Sequence, residues 1–500
     1  MELVRKQLTG YRVLQSKVQQ FEQQTDLIIP DVNPDAMTML AAWGECIVTE
    51  QTLRRDRITA GGTVTFTLLY RPESGNNSVS LKGSLNFQEV LELKGIKEDD
   101  LLFLRAEIME LRGVILNSRK VGVQCRVAMW AWVYQRENML LTEGVQAKPE
   151  EGIQLKLQRQ RVNLLAAAFE KNLSVSEDVR LAEAGLQDQL LCGTIWWKPE
   201  DVRTLNKKIM VRGSAQVRIL LLCEGDTLRE LEYALPFSQI VESSEIKLDS
   251  NAEIRYITTQ QQLRMERRED GVFLVCNLGA KSVIEIYREV ETTALTDVYS
   301  TRHHTTVGYA PTPICGCKTS VLSGKVQQTI NLESQPTRVL QCQCNGSAAE
   351  VTGEKIRSAF CVTVFWEDHE GYRQQHTVVL REEQEGNGYC SGAVIVKVCE
   401  IATVVTGNAI SVELQVQYTL RKVSGSQMQQ VEACEADLTR PRKSYAPGTL
   451  LLRTVCAGES TWELAKDYGT TESAILTANH FAPDEKPMEN QLVMIPFLRN

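Results

Sequence analysis

The sequence predicts a mainly β protein: three β-sandwich-like repeat domains, followed by a small terminal unit with the order strand, helix, helix, strand. A strand pattern recurs at intervals of roughly 150 residues, which is a domain-sized period. Apolar residues alternate along these strands, as they do in sheets with one buried face. Residues 450–500 differ, because they carry helix caps and glycine stops between two short apolar runs.

The repeated feature is a strand that ends in bulky side chains and runs into a polar turn. The three strands lie at residues 62–70, 213–223 and 359–366, and the turns that follow them lie at 72–77, 224–226 and 367–371. Residues such as Val123, Cys125 and Val127 alternate with their neighbours, so each sheet has one face to bury. Two sheets packed face to face bury both apolar sets, which predicts a β-sandwich for each copy.

Domain boundaries follow from this repeat. The predicted divisions are repeat domains at 1–140, 141–300 and 301–425, a linker at 426–449 and the terminal unit at 450–500. The prolines Pro441 and Pro447 stiffen part of the linker, and a Ser-Gly-Ser sequence precedes it. We expect this linker to let the terminal unit swing relative to the repeats.

A lead-in stretch, residues 25–35, precedes the first repeated strand. Pro30 and Pro34 hold its backbone extended. Asp35 follows them and is a good N-cap residue. The sequence therefore predicts a short helix at residues 36–40.

The terminal unit carries the signals of two capped helices. Ser460 and Glu463 have the spacing of a capping box, and Gly469 is a helix stop. Thr470 or Thr471 caps the second helix. Strands at residues 451–455 and 492–495 enclose these helices and should pair antiparallel. Such a unit is too small for an active-site cleft and offers a shallow groove, which favours binding over catalysis.

Residues 457–471, 478–479 and 491–496 resemble a LysM domain. The resemblance implies a unit that binds glycans containing N-acetylglucosamine, such as peptidoglycan or chitin. It places the ligand groove between the turn before the first helix and the loop after the second. The groove residues that the resemblance implies in this chain are Gly458, Glu459, Ser460, Thr461, Asn479, His480 and Phe481.

Two departures from the LysM pattern bear on the ligand. The usual Pro-Gly-Asp is Ala457-Gly458-Glu459, and the loop at 482–490 is long and acidic. Because that loop forms one groove wall, a protein partner and a glycan are both alternatives. A second interpretation also stays open, in which Phe481 is a core residue and His480 is solvated.

The lead-in stretch and the domain order are similar to those of the SipL-like spore-coat morphogenetic proteins of clostridia. In that family, copies of a β-rich domain precede a C-terminal LysM domain. The resemblance implies a non-catalytic scaffold of the spore coat and cortex, at the forespore surface in the mother-cell cytosol. Its implied partner is the ATPase that builds the coat basement layer, or another coat protein, bound through the LysM domain. A peptidoglycan-binding role is the alternative, and homo-oligomerisation is left open.

Composition and charge exclude several classes of function. The net charge is −8 and the pI is near 5.5, which argues against a nucleic-acid partner. No apolar segment follows the residues Met1 to Lys6, so no secretory signal is predicted. The longest apolar runs, such as residues 219–223, have strand length, whereas a membrane helix needs about 20 apolar residues. We therefore expect no transmembrane segment and a location in the cytosol.

No catalytic residue and no cofactor are predicted. Asp368-His369-Glu370 looks like an acid–base group, but its counterparts at 73–75 and 224–226 share only turn chemistry. The sequence lacks the GxxxxGK, HExxH, GxSxG and Rossmann patterns. We therefore expect a hairpin tip at residues 368–370 and no enzymatic activity.

No metal site is predicted either. The candidate zinc ligands are His303, His304, Cys315, Cys317, Cys342 and Cys344. Zinc sites favour two to four residues between cysteines, whereas these pairs have one. Later covalent cross-linking through some of the thiols, in an oxidising assembly, is the alternative use.

Overall fold

The computed structural model of the chain describes residues 2–15, 19–74, 77–352, 354–386, 393–443, 446, 449–482 and 485–497. Strands make up 77% of the chain and helices 5%. These proportions confirm the mainly β fold class.

Copy 1 is a sandwich of two antiparallel sheets. Its strands are β1 Glu2–Gln15, β2 Gln19–Ile28, β3 Ala36–Arg54, β4 Arg57–Pro72, β5 Val79–Glu92, β6 Leu101–Asn117 and β7 Lys120–Gln146. One sheet is the meander β3-β4-β5, and β7 is the centre of the other, paired with β1, β2 and β6. β2 pairs with residues 120–129 of β7 and β1 with residues 132–146, so β1 and β2 lie end to end along one edge.

Copies 2 and 3 repeat this topology with six strands each. Copy 2 consists of β8 Ile153–Arg180, β9 Gln189–Leu205, β10 Lys208–Cys223, β11 Thr227–Glu242, β12 Asn251–Arg268 and β13 Gly271–Ser300. Copy 3 consists of β14 His303–Asn331, β15 Pro336–Thr352, β16 Lys355–Asp368, β17 Arg373–Glu385, β18 Ala393–Thr406 and β19 Ala409–Pro441. The meanders are β9-β10-β11 and β15-β16-β17, and the second sheets are β8-β13-β12 and β14-β19-β18. One strand order therefore occurs three times.

Individual contacts recur along with the topology. In each copy the backbone amide that follows the last strand before the meander donates to a carbonyl oxygen at the last hairpin. The pairs are Ile29 to Arg119, Leu181 to Val272 and Leu332 to Asn408, all at 2.9 Å. The second residue of each central meander strand is a fully buried isoleucine, namely Ile58, Ile209 and Ile356. Equivalent positions of the three copies therefore have equivalent contacts and burial.

The prediction of a helix at residues 36–40 is wrong, because β3 begins at Ala36. Four oxygen atoms accept hydrogen bonds from the Arg119 side chain at 2.8–3.0 Å, those of Ile29, Asp31, Asn33 and Asp35. The Ala36 amide donates to Ser118 O at 2.8 Å. The lead-in stretch is thus held around the β6–β7 turn. Contrary to the prediction, it is not extended throughout, because residues 30–33 form a tight turn in which Asn33 N donates to Pro30 O at 2.9 Å. Hydrogen bonds from Ser118 and Arg119 lower the pKa of Asp35, which binds these groups instead of capping a helix.

Glycine on the central meander strand of copies 1 and 2 makes room for an aromatic ring. The opposed pairs are Gly62 with Phe87 in copy 1, Gly213 with Phe237 in copy 2 and Phe360 with Leu380 in copy 3. A Cβ atom at Gly62 would lie 2.3 Å from Ile47 O and 2.5 Å from the Phe87 ring. Copy 3 places its ring on the central strand itself, so the glycine is not needed there.

Gly62→Ala is expected to lower the free energy of unfolding by about 1–3 kcal/mol, because the added methyl group overpacks this point. Denaturant unfolding of the full chain measures the change. Gly144→Ala is the control, since a Cβ atom there would meet nothing within 4 Å. Equal stability of the two variants would contradict the packing argument.

Beyond each sandwich, the first and last strands of the copy continue as a two-stranded arm. The arms comprise β1 with residues 135–146, residues 153–165 with 287–300, and residues 303–319 with 421–441. Apolar side chains join the first arm to the second, namely Leu8, Met139, Leu141, Val162, Leu164 and Ala294. A further cluster joins the second arm to the third through Leu295, Val298, Val431 and Cys434.

Part of the predicted linker lies in an arm. Residues 426–441 belong to β19 and pair with β14. Val431 is fully buried, and it joins Val298 in the cluster between arms. The polar residues around Val431 gave this segment the composition of a linker, whereas packing against another copy makes it a strand. The connection to the terminal unit is correspondingly shorter than predicted.

The three meanders meet beside the turns that the repeat analysis singled out. The Asp226 carboxylate, in the copy 2 turn, accepts from Ser78 N at 2.8 Å and Ser78 Oγ at 3.2 Å. It also accepts from Arg373 Nη1 at 3.0 Å. Ser78 directly precedes β5 of copy 1, and Arg373 opens β17 of copy 3. One carboxylate therefore joins all three copies.

An apolar cluster lies between the same three meanders. It contains Trp43 from copy 1, Leu220 from copy 2 and Phe365 from copy 3. Trp43 also donates through Nε1 to Gln341 Oε1 of copy 3 at 2.7 Å. Together with the arms, these contacts join the copies into one assembly, the three-copy body.

Candidate binding site

The terminal unit has the predicted order of elements. These are β20 Leu450–Thr454, α1 Thr461–Tyr468, α2 Glu472–Asn479 and β21 Leu492–Pro496. β20 and β21 pair antiparallel. Ser460 and Glu463 form the capping box, with Ser460 N donating to the Glu463 carboxylate at 2.7 Å. Gly469 ends α1 in the left-handed conformation, and Thr471 caps α2.

A small apolar core holds these elements together. Its most buried members are Val455, Leu464, Ala465, Ile475, Val493 and Ile495. Trp462 is buried beside them, whereas Tyr468 is half-buried. Tyr299 of the three-copy body also belongs to this cluster.

The first half of the predicted groove is the turn before α1. Gly458 is exposed with φ 79°, and a Cβ atom there would meet nothing within 4 Å. The Glu459 carboxylate accepts two hydrogen bonds from Arg453, at 2.9 and 3.1 Å, and one from Cys456 N at 2.9 Å. Thr461 is buried and donates to Glu472 at 2.7 Å. The polar side chains of this turn therefore have partners inside the unit.

The second half of the predicted groove follows α2. Asn479 bonds Met494 in both directions at 2.7 Å and also donates to Ile475 O, so it fastens α2 to β21. His480 is exposed with φ 57°, in the left-handed region. Phe481 is half-buried and packs against the apolar core.

Two of the seven predicted groove residues are exposed, Gly458 and His480. Both predicted segments adjoin one core, the first through Trp462 and the second through Ile475 and Phe481. Of these seven residues, the Gly458 turn and the His480 imidazole are thus the groups most open to a ligand. The binding role of the seven residues stays a prediction.

Ser460→Ala is expected to lower the stability of the terminal unit by about 1 kcal/mol, because the Glu463 amide loses its cap. Thermal unfolding monitored in this unit measures the loss. Ser460→Asn keeps an acceptor at the cap and serves as the control. Equal losses in the two variants would contradict the capping role.

The terminal unit has a second surface, which the sequence did not indicate. It contacts the second arm, where Asp297 accepts from Trp462 Nε1 and from Lys466 Nζ, both at 2.8 Å. The Tyr299 hydroxyl donates to Thr470 O at 2.8 Å. The rings of Tyr299 and Trp462 meet edge to face with centroids 4.9 Å apart. The one sign of this second surface in the sequence is Asp297, a charged residue within the mainly apolar run at residues 294–299.

Asp297 also connects two arms. Tyr309, on the third arm, donates its hydroxyl to Asp297 Oδ1 at 2.7 Å. Burial would raise the pKa of Asp297, but the hydrogen bonds from Lys466, Trp462 and Tyr309 outweigh it and hold this pKa below its usual value. The carboxylate is thus ionised where the terminal unit meets the body.

Asp368, His369 and Glu370 lie at the tip of the copy 3 meander. The Asp368 carboxylate accepts from the amides of Glu370 and Tyr372 at 3.0 and 2.8 Å. His369 and Glu370 are exposed, 3.8 Å apart. The arrangement is that of a hairpin turn organised by its first residue.

The candidate zinc ligands are spread over two strands. His303 and His304 open β14, and Cys342 and Cys344 lie on β15. The side chains of Cys315 and Cys317 lie outside the described residues. Burial raises the pKa of Cys342 to about 12, so this thiol is protonated at neutral pH. Among the residues that the structure describes, no group of histidine, cysteine or carboxylate side chains has the arrangement of a metal site.

Both α-helices within the described residues have eight residues. Within the described residues, no helix has the length and apolar character of a membrane span.

Comparison with known proteins bears on copy 1. Residues 35–113 match the family model described as SipL, SPOCS domain. The match runs from Asp35, which ends the lead-in stretch, through the whole meander and most of β6. Searches of curated proteins and of solved structures gave no match. The match makes the chain SipL-like over the SPOCS domain at residues 35–113 and relates it to sporulation.

Proposed function

We propose that the chain is a non-catalytic scaffold of the spore envelope, acting at the forespore surface in the mother-cell cytosol. It binds a coat-assembly protein, such as the morphogenetic ATPase of the coat, through its terminal unit. The SPOCS match at residues 35–113 carries this proposal. The three-copy body supports it, because three joined sandwiches give a rigid carrier for a small binding unit.

The geometry of the terminal unit favours a protein partner. Asn479 and Glu459, the polar side chains best suited to a sugar, already have partners within the unit. Gly458 and His480 remain exposed on either side of the frame. A partner can approach the glycine turn closely and use the imidazole, whereas a glycan would find few free hydrogen-bonding side chains.

Glycan binding is the second candidate. The strand–helix–helix–strand order and the intact caps favour it, because they reproduce the frame that the LysM resemblance implies. Backbone groups of the exposed Gly458 turn could then bind the sugar in place of side chains.

The test compares the full chain with Ala457→Arg in binding to the purified coat ATPase and in co-sedimentation with purified peptidoglycan. Ala457 is exposed beside Gly458, so arginine there obstructs the turn while the fold stays intact. We expect ATPase binding to weaken by at least about tenfold, as for a change at the centre of an interface.

Ala402→Arg is the matched control, since Ala402 is exposed on β18 of copy 3, outside the terminal unit. It should leave binding unchanged. Full ATPase binding by Ala457→Arg would contradict the proposed site. Binding to peptidoglycan that Ala457→Arg abolishes, without binding to the ATPase, would replace the first candidate by the second.

A further inference from the structure

The interface between the terminal unit and the second arm centres on one carboxylate. Asp297 lies on β13, and its side chain is 17% exposed. It accepts hydrogen bonds from Trp462 and Lys466 of α1 and from Tyr309 of the third arm. Three separate parts of the molecule thus converge on a single charge.

Further contacts around this carboxylate are also mainly polar. Arg442 donates to His303 O at 3.2 Å and to Lys466 O, near the end of α1. Lys156 Nζ lies 5.8 Å from the centre of the Trp462 ring. The apolar contribution of the body is Tyr299, whose ring packs on Trp462.

Each side of this interface has its own core. Val455, Leu464, Ile475 and Val493 are buried within the terminal unit, and among the described residues Tyr299 is the one body residue in their cluster. The body is held by its own sandwiches, arms and meander contacts. Polar interfaces between separately cored parts of one chain behave as transient interfaces do.

We propose that Asp297 is a latch: it holds the terminal unit in a docked position on the second and third arms, from which the unit can be released while both parts stay folded. In the docked position the α1 face with Trp462 and Lys466 is covered, whereas Gly458 and His480 are exposed. Release uncovers the α1 face as a further contact surface. The latch therefore decides which faces of the terminal unit a partner meets.

Hydroxyl-radical footprinting of the full chain, read by mass spectrometry, tests this proposal without any partner. Tyr299 is 0% and Trp462 5% exposed, against 49% for Tyr372, which serves as the reactive reference. In the unaltered chain Tyr299 and Trp462 should be protected. In Asp297→Ala, the reactivity of both should rise at least about tenfold, because the cationic and aromatic donors lose a charged acceptor. Tyr418, in the core of copy 3, should stay protected.

Two further variants control this experiment. Lys466→Met removes one donor and should give a smaller rise at the same two residues. Asp201→Ala removes a partly exposed carboxylate that pairs with Arg203 at 2.9 Å on β9, and it should change nothing.

Three outcomes would overturn the latch. Tyr299 in the unaltered chain could react as fast as Tyr372, which would show that the unit is not docked. Protection in Asp297→Ala could equal that of the unaltered chain. Reactivity at Tyr418 could rise together with that of Trp462 in both Asp297→Ala and Lys466→Met, which would mark general unfolding. Since no coat protein takes part, none of these outcomes bears on the proposed partner.

Discussion

Trp462→Ala is expected to lower the stability of the terminal unit by about 3–5 kcal/mol, the range for truncation of a buried tryptophan. The ring packs within the unit's apolar core and against Tyr299, and its Nε1 group donates to Asp297. The substitution removes both contacts. A unit with so small a core has little stability to spare, so we expect it to unfold while the three-copy body remains intact.

Hydrogen exchange of the full chain measures this result, because it reports β21 and the meander strands separately. Trp462→Phe is the control. It keeps an aromatic ring in the core but removes the Nε1 donor, so the loss should be clearly smaller. Protection of β21 in Trp462→Ala within a factor of ten of the unaltered chain would contradict this account.

Arg373→Ala is expected to destabilise the three-copy body by about 3–5 kcal/mol, as when one partner of a buried ion pair is removed. The Arg373 side chain is 8% exposed and pairs with Asp226 of copy 2 at 3.0 Å and with Glu367 at 3.2 Å. Alanine leaves Asp226 without its cation in the region where the meanders meet, whereas Glu367 keeps its pair with the exposed Arg338. Denaturant unfolding of the full chain measures the loss.

Arg338→Ala provides a matched control. Arg338 pairs with the same Glu367 carboxylate at 3.2 Å, but its side chain is 57% exposed. Exposed pairs contribute about 0–1 kcal/mol, so this variant should unfold nearly as the unaltered chain does. Similar losses for Arg338→Ala and Arg373→Ala would contradict the role assigned to the junction.

A double-variant cycle identifies the pair that carries the effect. Asp226 has φ 59°, so Asn is the suitable replacement because it tolerates the left-handed region. If Asp226 and Arg373 act together, Asp226→Asn with Arg373→Ala should lose less stability than the sum of the two single changes. If the two losses of stability add, Arg373 stabilises the body through contacts other than its pair with Asp226.

The sequence correctly predicted the local features of the terminal unit. Ser460, Glu463, Gly469 and Thr471 lie at the predicted caps and stop. These signals act between residues a few positions apart, so a short segment of sequence is enough to predict them. The ligand is not decided by such signals, and the groove residues remain a prediction.

Local reasoning failed where distant residues compete for the same backbone or side chain. Asp35 has the character of a helix cap, but Arg119, in the distant β6–β7 turn, binds it and the preceding carbonyl groups. Residues 426–441 have the composition of a linker, but β14 pairs with them and Val431 is buried between arms. In both cases the deciding partner lies far away in sequence.

The sequence by itself determined that the chain is mainly β, that one strand pattern occurs three times and that a capped helical unit follows. These properties depend on alternation, turns and caps, which are local. The tertiary structure decided that Ser78, Asp226 and Arg373 form one junction and that Asp297 holds the terminal unit. Those contacts join residues of different copies, or of a copy and the terminal unit, and their geometry exists only after the sheets have packed.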